Sequence, residues 1–320
     1  MSTPIITRRY CPENRDEWNN FVSESRNGTF LFDRNYMDYH SDRFEDSSLL
    51  FYNSRNRLLA MLPANRAGDM LYSHQGLTYG GLITKNDACA ELVYDIFESM
   101  NTFLKGEGIR RVVYKAIPWI YHTYPSEEDL YALTYVSKAR LVSRDISSAF
   151  PLSCRLRFTE SRRAGIRKAR KAGITVTESD KLEEFWQVLS DNLMARHHAT
   201  PVHTLDEIKL LMSRFPGNIR LYTAELSGKV VAGTILYICK EVVHTQYISA
   251  SPEGKACGAL DILFDHIINN EYSDRHFFDF GKSTEHDGSI LNRSLIFQKE
   301  GFGARGVCYD TYEWDIKQQI

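Results

Sequence analysis

A chain of 320 residues, 43% hydrophobic and 25% charged, has ordinary globular usage, and its length is a soft prior for two domains. A formal charge of -2 excludes a global attraction to nucleic acid or to anionic membrane, so any such binding must be local and no DNA partner is expected. No run approaches the roughly 18 apolar residues of a membrane span, and Met1 to Tyr10 lack an apolar core of signal-peptide length, so the chain is expected to be cytoplasmic with no integral membrane segment.

In chain order, an opening strand precedes a helix around 16–24 and the segment 29–40. Residues 49–52, 58–63 and 70–82 alternate as strands, with 53–56 as a hairpin turn. An amphipathic helix covers 88–104 and a strand 110–117. Ser126 is the expected cap of a helix running to about Ala139, because Glu127, Glu128 and Asp129 suit its positive end. Residues 141–150 form a strand leading out of this half.

The second half repeats the order, with strands over 219–226, 230–239 and 242–250, a helix over 256–270 and a strand over 276–280. Setting 58–60 beside 230–232, 90–100 beside 259–269 and 111–116 beside 277–282 keeps an offset of roughly 170 residues, which points to a degenerate internal duplication of one α+β unit. The boundary falls near Phe150, giving domains 1–150 and 151–320. Six scattered cysteines show no C-x-x-C pair and no metal spacing, so they read as reduced, mostly packed thiols with no metal site.

The stretch 277–306 carries the densest chemistry. Phe277 to Phe280 is an aromatic run broken only by Asp279, at the length of an interior strand, and Lys282, Ser283, Thr284 and Glu285 follow it. Ser289 is the expected cap of a helix from about Ile290, ended by Gly301, on which Asn292 and Lys299 share one face. Donors and acceptors gathered at the end of an apolar strand mark the place where α/β sheets usually bind ligands.

Three antiparallel strands, a helix and a strand splaying from its neighbour resemble the core of a GNAT acyltransferase. The turn 251–260 is similar to that family's donor turn: Lys255 fills the basic position and Gly258 the first glycine, while Leu260 stands where a second small residue is expected. The resemblance makes Lys255, Ala256, Gly258 and Ala259 the donor-binding residues, with backbone N–H groups facing a pyrophosphate. The first-half turn, 83–88, has no such glycines. The basic stretch from Glu160 to Ile174 resembles the helix opening the second domain of Fem-type peptidoglycan aminoacyltransferases, and Asp279 to Gly281 with Gln298 to Gly303 match the end of that domain. Arg196 to Thr204, His244 to Tyr247 and Asp279 to Glu285 further resemble a GNAT-like subgroup tied to surface-polysaccharide pathways.

The resemblance implies an α+β fold of two tandem GNAT-like domains, with mixed, mostly antiparallel sheets flanked by helices. It also implies a degenerate first domain on the acceptor side, and an amine acceptor between the domains. Two departures stand out. Only a few residues join the helix ending near Arg196 to the one starting near Leu205, leaving no room for the coiled-coil arm of some Fem-type enzymes and disfavouring tRNA. His40 stands where relatives tend to carry a lysine that contacts acceptor phosphates.

Acyl transfer to an amine needs the amine deprotonated and the carbonyl polarised. Asp279, in an apolar setting, is one candidate base, or else a carboxylate shaping its loop. His203 and His244 are two others, though a lone histidine is as readily a hydrogen-bonded structural residue. Gln246, Tyr247, Lys282, Ser283, Glu285, Asn292 and Lys299 are the expected substrate contacts of the second half, with Lys299 alternatively pairing a nearby carboxylate. Arg163 and Arg167, with Arg170, read as a phosphate clamp or a solvated helix face, and mid-helix Gly165 as a point of close backbone approach. Tyr79, beside two glycines, marks a ligand-accessible strand end or a structural one.

The resulting expectation is an N-acyltransferase moving an acyl group from acyl-CoA to an amino sugar or a lipid- or nucleotide-linked cell-envelope precursor, without a metal. The alternatives are a Fem-type transferase using aminoacyl-tRNA, or a non-catalytic glycan-precursor binding module. The oligomeric state is not readable from the sequence.

Overall fold

The computed structural model describes residues 4–273 and 275–316. The chain forms two compact units that interleave in sequence. The first takes the chain up to Ile146 with His286–Ile290 and the residues from Cys308 on; the second takes Ser147–Glu285 with Leu291–Val307. Each mixes sheet and helix, as expected for tandem α+β domains of the GNAT type.

In the first unit, an antiparallel sheet runs in the order Ile6–Arg9, Leu49–Tyr52, Leu58–Leu62, Ile83–Thr84. Beside it, Arg111–Lys115 pairs in parallel with Met70–Tyr72 and antiparallel with residues 311–315. The helix Ala90–Gly106 buries Ile96, Phe97, Met100 and Leu104 with Leu49, Leu62, Tyr114 and Trp314.

The second unit orders Thr175–Glu178, Ile219–Leu226, Lys229–Ile238, Val242–Ala250 and Phe277–Lys282, then residues 147–151 of the strand Arg140–Pro151. All neighbours are antiparallel except Val242–Ala250 with Phe277–Lys282, which run parallel. Leu263, Phe264 and Ile267 pack on Phe150, Phe278, Phe280 and Phe302 to form its core. Burial of these apolar side chains, at about 25 cal/mol per Å² of apolar surface, dominates the driving force for both units.

Four local expectations are corrected. The strand expected over 70–82 stops at Tyr72, because Gly80 folds back onto Ser73, where a Cβ would lie 1.6 Å from the Ser73 carbonyl oxygen. Ser126 does not cap the helix Glu128–Tyr135; its hydroxyl accepts from the buried Arg26 Nε at 3.0 Å. The helix expected over 256–270 starts at Pro252 and breaks at Gly258, whose φ is +80°, before resuming as Ala259–His266. Ser289 donates to the His286 carbonyl instead of capping, and Asn292 caps Arg293–Glu300 by accepting from the Leu295 N–H at 3.0 Å.

Cys11, Cys89, Cys154 and Cys308 are exposed and Cys239 is buried, so the thiols are mostly at the surface rather than packed. Among the described residues, no helix is long and apolar enough to cross a membrane.

Candidate active site

The strands Val242–Ala250 and Phe277–Lys282 pair over only three positions, Val242 with Phe277, Val243 with Phe278 and His244 with Asp279, and the ladder ends there. Two parallel strands that part at their C-terminal ends leave backbone and side chains facing an opening. His244 and Asp279 sit at the parting point.

Asp279 is 0% exposed. Its Oδ1 accepts from the Ser147 hydroxyl and from the Gly281 N–H at 3.0 Å, while Oδ2 meets His244 Nδ1 at 2.9 Å. A carboxylate only accepts, so His244 Nδ1 carries the proton of this contact and the ring's lone pair is on Nε2. The His244 side chain is 12% exposed. Gly281 has φ of +73°, and a Cβ there would stand 3.1 Å from His244 Cε1, so a residue without a side chain is needed for the imidazole to lie against the strand. Asp279, expected as a base, is therefore enclosed with both oxygens engaged, and His244 is the member of the pair that reaches the surface.

Beyond Gly281, Lys299 reaches back from the last turn of Arg293–Glu300 and donates to the carbonyls of Gly281 at 2.8 Å and Lys282 at 2.7 Å. Burial pushes its pKa down to about 8, against the opposing pull of the Asp279 charge. Asn292 caps the helix and donates to Glu285 Oε1 at 2.7 Å, while its N–H bonds the Ser283 carbonyl at 3.0 Å. Ser283 is 0% exposed, with its hydroxyl lacking a partner among the described residues, and Lys282 is exposed. Glu285, Asn292 and Lys299 thus build the loop on themselves.

At the far end of Val242–Ala250, a cavity of about 800 Å³ opens between the helix Leu182–His197 and the turn at Ser251, lined by Val188, Asn192, Lys229, Val230, Ser251 and Lys255 among others. Lys255 Nζ bonds Asn192 Oδ1. Ser251 Oγ accepts from the Gly254 N–H at 3.0 Å, and Gly254 passes so close to Val231 that a Cβ would lie 2.2 Å from its carbonyl oxygen. Ala256 is exposed, whereas Ala259 is fully buried in the core.

Gly258 packs against the basic helix Glu160–Ala172: a Cβ on it would lie 2.5 Å from the Gly165 carbonyl oxygen, and one on Gly165 would lie 1.8 Å from Asp261 Oδ2. These two glycines let the helices touch, which accounts for Gly165 and gives Gly258 a packing role. Arg162 pairs with Asp261 at 2.6 Å and Arg170 with Asp265 at 2.9 Å, so Arg170 is drawn out of the expected clamp. Arg163 and Arg167 both pair with exposed Glu160, at 2.9 and 2.6 Å.

His203 is held by Tyr247. Its N–H donates to the Tyr247 hydroxyl at 3.2 Å and its Nδ1 meets the same hydroxyl at 2.6 Å, while Trp186 packs edge-on to the Tyr247 ring. Burial raises the Tyr247 pKa. Gln246, half-buried, is the extra residue of a β-bulge, since Ile235 faces Tyr247 and Leu236 faces Thr245. In the first unit, His40 is 2% exposed and stacked on His74 with ring centroids 5.3 Å apart, and Tyr79, also 2% exposed, packs on Phe32, Tyr121 and Tyr309. Both side chains are buried within the first unit.

Sequence reasoning missed Ser147, Asn192 and Lys229.

Residues 157–287 match the family model described as an acetyltransferase (GNAT) domain. No curated protein matches the sequence. The fold is similar to that of FemX, at a TM-score of 0.69 and 11% identity over 97% of each chain. It is also similar to that of L-PGS from Bacillus licheniformis, at 0.61 and 15% over 94% of this chain and 91% of that one. A tandem GNAT protein from the clavulanic acid biosynthesis pathway matches at 0.51 and 7%, over 99% of this chain and 100% of the other.

Proposed function

On the premise that this chain is a GNAT-type acyltransferase with the fold of the tandem, Fem-like group, we propose that it moves an acyl group from acyl-CoA to the amine of an amino sugar or cell-envelope precursor in the cytoplasm. The observation that carries this reading is the position of His244. It is held by buried Asp279 of the neighbouring strand, and the far end of its own strand Val242–Ala250, six residues or about 20 Å on, opens at the cavity beside Lys255. A flexible thioester donor laid along the strand has its anionic end near Lys255 and its carbonyl near the imidazole.

In this reading the amine nitrogen attacks the thioester carbonyl carbon. A C–N bond forms, the C–S bond breaks, and the amine's proton passes to Nε2 of His244. The coenzyme leaves as a thiolate and takes a proton from solvent. Asp279 stabilises the imidazolium that results, the role a buried carboxylate plays behind a histidine base.

The acceptor class is supported by the Fem-type resemblance and by the shared fold of FemX and L-PGS. One observation favours a second donor, aminoacyl-tRNA: Arg163, Arg167, Lys168 and Lys171 are exposed on one helix with Glu160 as their acidic neighbour. The purified protein, given acetyl- and longer acyl-CoAs with UDP- or dTDP-linked amino sugars, is expected to release coenzyme thiol only when an amine is present. No thiol release with any coenzyme, but transfer from aminoacyl-tRNA, overturns the acyl-CoA reading in favour of the second donor. Binding of a nucleotide sugar with neither transfer overturns both in favour of a binding module.

A further inference from the structure

We propose that Ser147 is a positioning residue for this reaction, its hydroxyl holding the Asp279 carboxylate so that Oδ2 is presented to His244. The inference rests on the reading of His244 as the base. Ser147 is 0% exposed, and it lies 132 positions from Asp279 and ahead of residues 157–287, the span matched by the GNAT family model. It comes from residues 147–151, which pair antiparallel with Phe277–Lys282 as that strand's other neighbour.

The geometry gives the carboxylate a fixed division of labour. Oδ1 takes two donors, the Ser147 hydroxyl and the Gly281 N–H, and Oδ2 takes the imidazole. A carboxylate bound only at Oδ2 turns about its Cβ–Cγ bond and carries the imidazole with it. Donors from two different strands on Oδ1 prevent that. The adjacent Ser148 offers an internal contrast: it is 1% exposed, and its hydroxyl has no partner among the described residues.

Removing the Ser147 donor leaves more of the carboxylate's negative charge facing His244. That favours the imidazolium, so the acid limb of the pH–rate profile, where the base must be neutral, moves to higher pH. A hydrogen bond to a charged group is worth enough that its loss lowers kcat by about tenfold or more.

The test compares kcat, KM and the acid limb of kcat/KM in wild type, Ser147→Ala, Ser147→Thr, Ser148→Ala and His244→Gln. Ser147→Ala is expected to lower kcat about tenfold, leave KM for both substrates nearly unchanged and move the acid limb upward. Ser147→Thr, which keeps the hydroxyl, restores the wild-type limb, and Ser148→Ala leaves it in place. Ser147→Cys, close in size with a weaker donor, serves where alanine compromises folding, and moves the limb the same way by less. An unmoved limb and full kcat in Ser147→Ala, with turnover still dependent on His244, overturn the positioning role alone. Turnover that survives His244→Gln overturns the base reading and this inference with it.

Discussion

The ammonium of Lys299 binds the carbonyl oxygen of Gly281 at 2.8 Å, tying the last turn of one helix to the end of the strand that carries Asp279. A second bond to the Lys282 carbonyl at 2.7 Å makes the same side chain the fastener of the whole loop. Lys299→Met leaves both carbonyls without this donor, and a loss of about 1–3 kcal/mol is expected for the buried Gly281 carbonyl left unsatisfied. Chemical denaturation at neutral pH checks it.

The same residue gives a pH dependence with a definite sign. Folding lowers its pKa from 10.5 to about 8, so between those values the unfolded chain holds a proton that the folded chain has released. Stability contributed by this group therefore rises with pH across that window, and the penalty for charging it is fully present below about pH 8. Wild type is expected to gain more stability than Lys299→Met between pH 8 and pH 10. Equal slopes would remove Lys299 as the cause.

Gly258 separates packing from donor binding. At φ +80°, with the Gly165 carbonyl 2.5 Å from where a Cβ would be, Gly258→Ala strains the backbone and pushes two helices apart. A loss of roughly 2–4 kcal/mol is expected, from strain and overpacking together. On the acyl-CoA reading coenzyme A is expected to raise the wild-type melting temperature, and Lys255→Glu, at an exposed side chain, to leave the denaturation midpoint nearly unchanged and to abolish that stabilisation. Stabilisation of Lys255→Glu equal to wild type would move the donor away from the cavity at Ser251.

Tyr247→Phe tests whether the two histidine clusters act separately. The hydroxyl is the partner of both the N–H and Nδ1 of buried His203, so its loss is expected to cost about 1–3 kcal/mol of stability. The acid limb of the pH–rate profile, assigned to His244, is expected to stay where it is. A displaced limb in Tyr247→Phe would bring His203 into the chemistry.

The sequence made the regular elements legible where apolar periodicity is strong, as in Ala90–Gly106 and Val242–Ala250, because burial enforces that periodicity. Caps were less legible. Ser289 and Asn292 are both good cap residues three positions apart, and tertiary contacts of the loop with Glu285 and Ser283 choose the asparagine. Asp279 is visible as the one carboxylate in an aromatic strand and His244 as one of two candidate histidine bases, but their pairing is seen only in the strand register. Ser147 is not visible, since its role depends on a strand pairing that no local pattern encodes. His40 and Tyr79 show a related limit: an aromatic or histidine beside glycines looks alike in sequence whether it lines a ligand site or packs in a core, and both are buried.

The measurement that bears most directly on the whole account is the turnover of His244→Gln with acyl-CoA and an amine acceptor, followed by thiol release. Glutamine keeps a polar side chain opposite Asp279 but cannot take the proton, and loss of a general base costs typically 10²–10⁴-fold. The account predicts a fall in kcat of at least about a hundredfold, with donor binding retained in the thermal-shift assay. Turnover in His244→Gln within about threefold of wild type, far below the cost of losing a base, would contradict it.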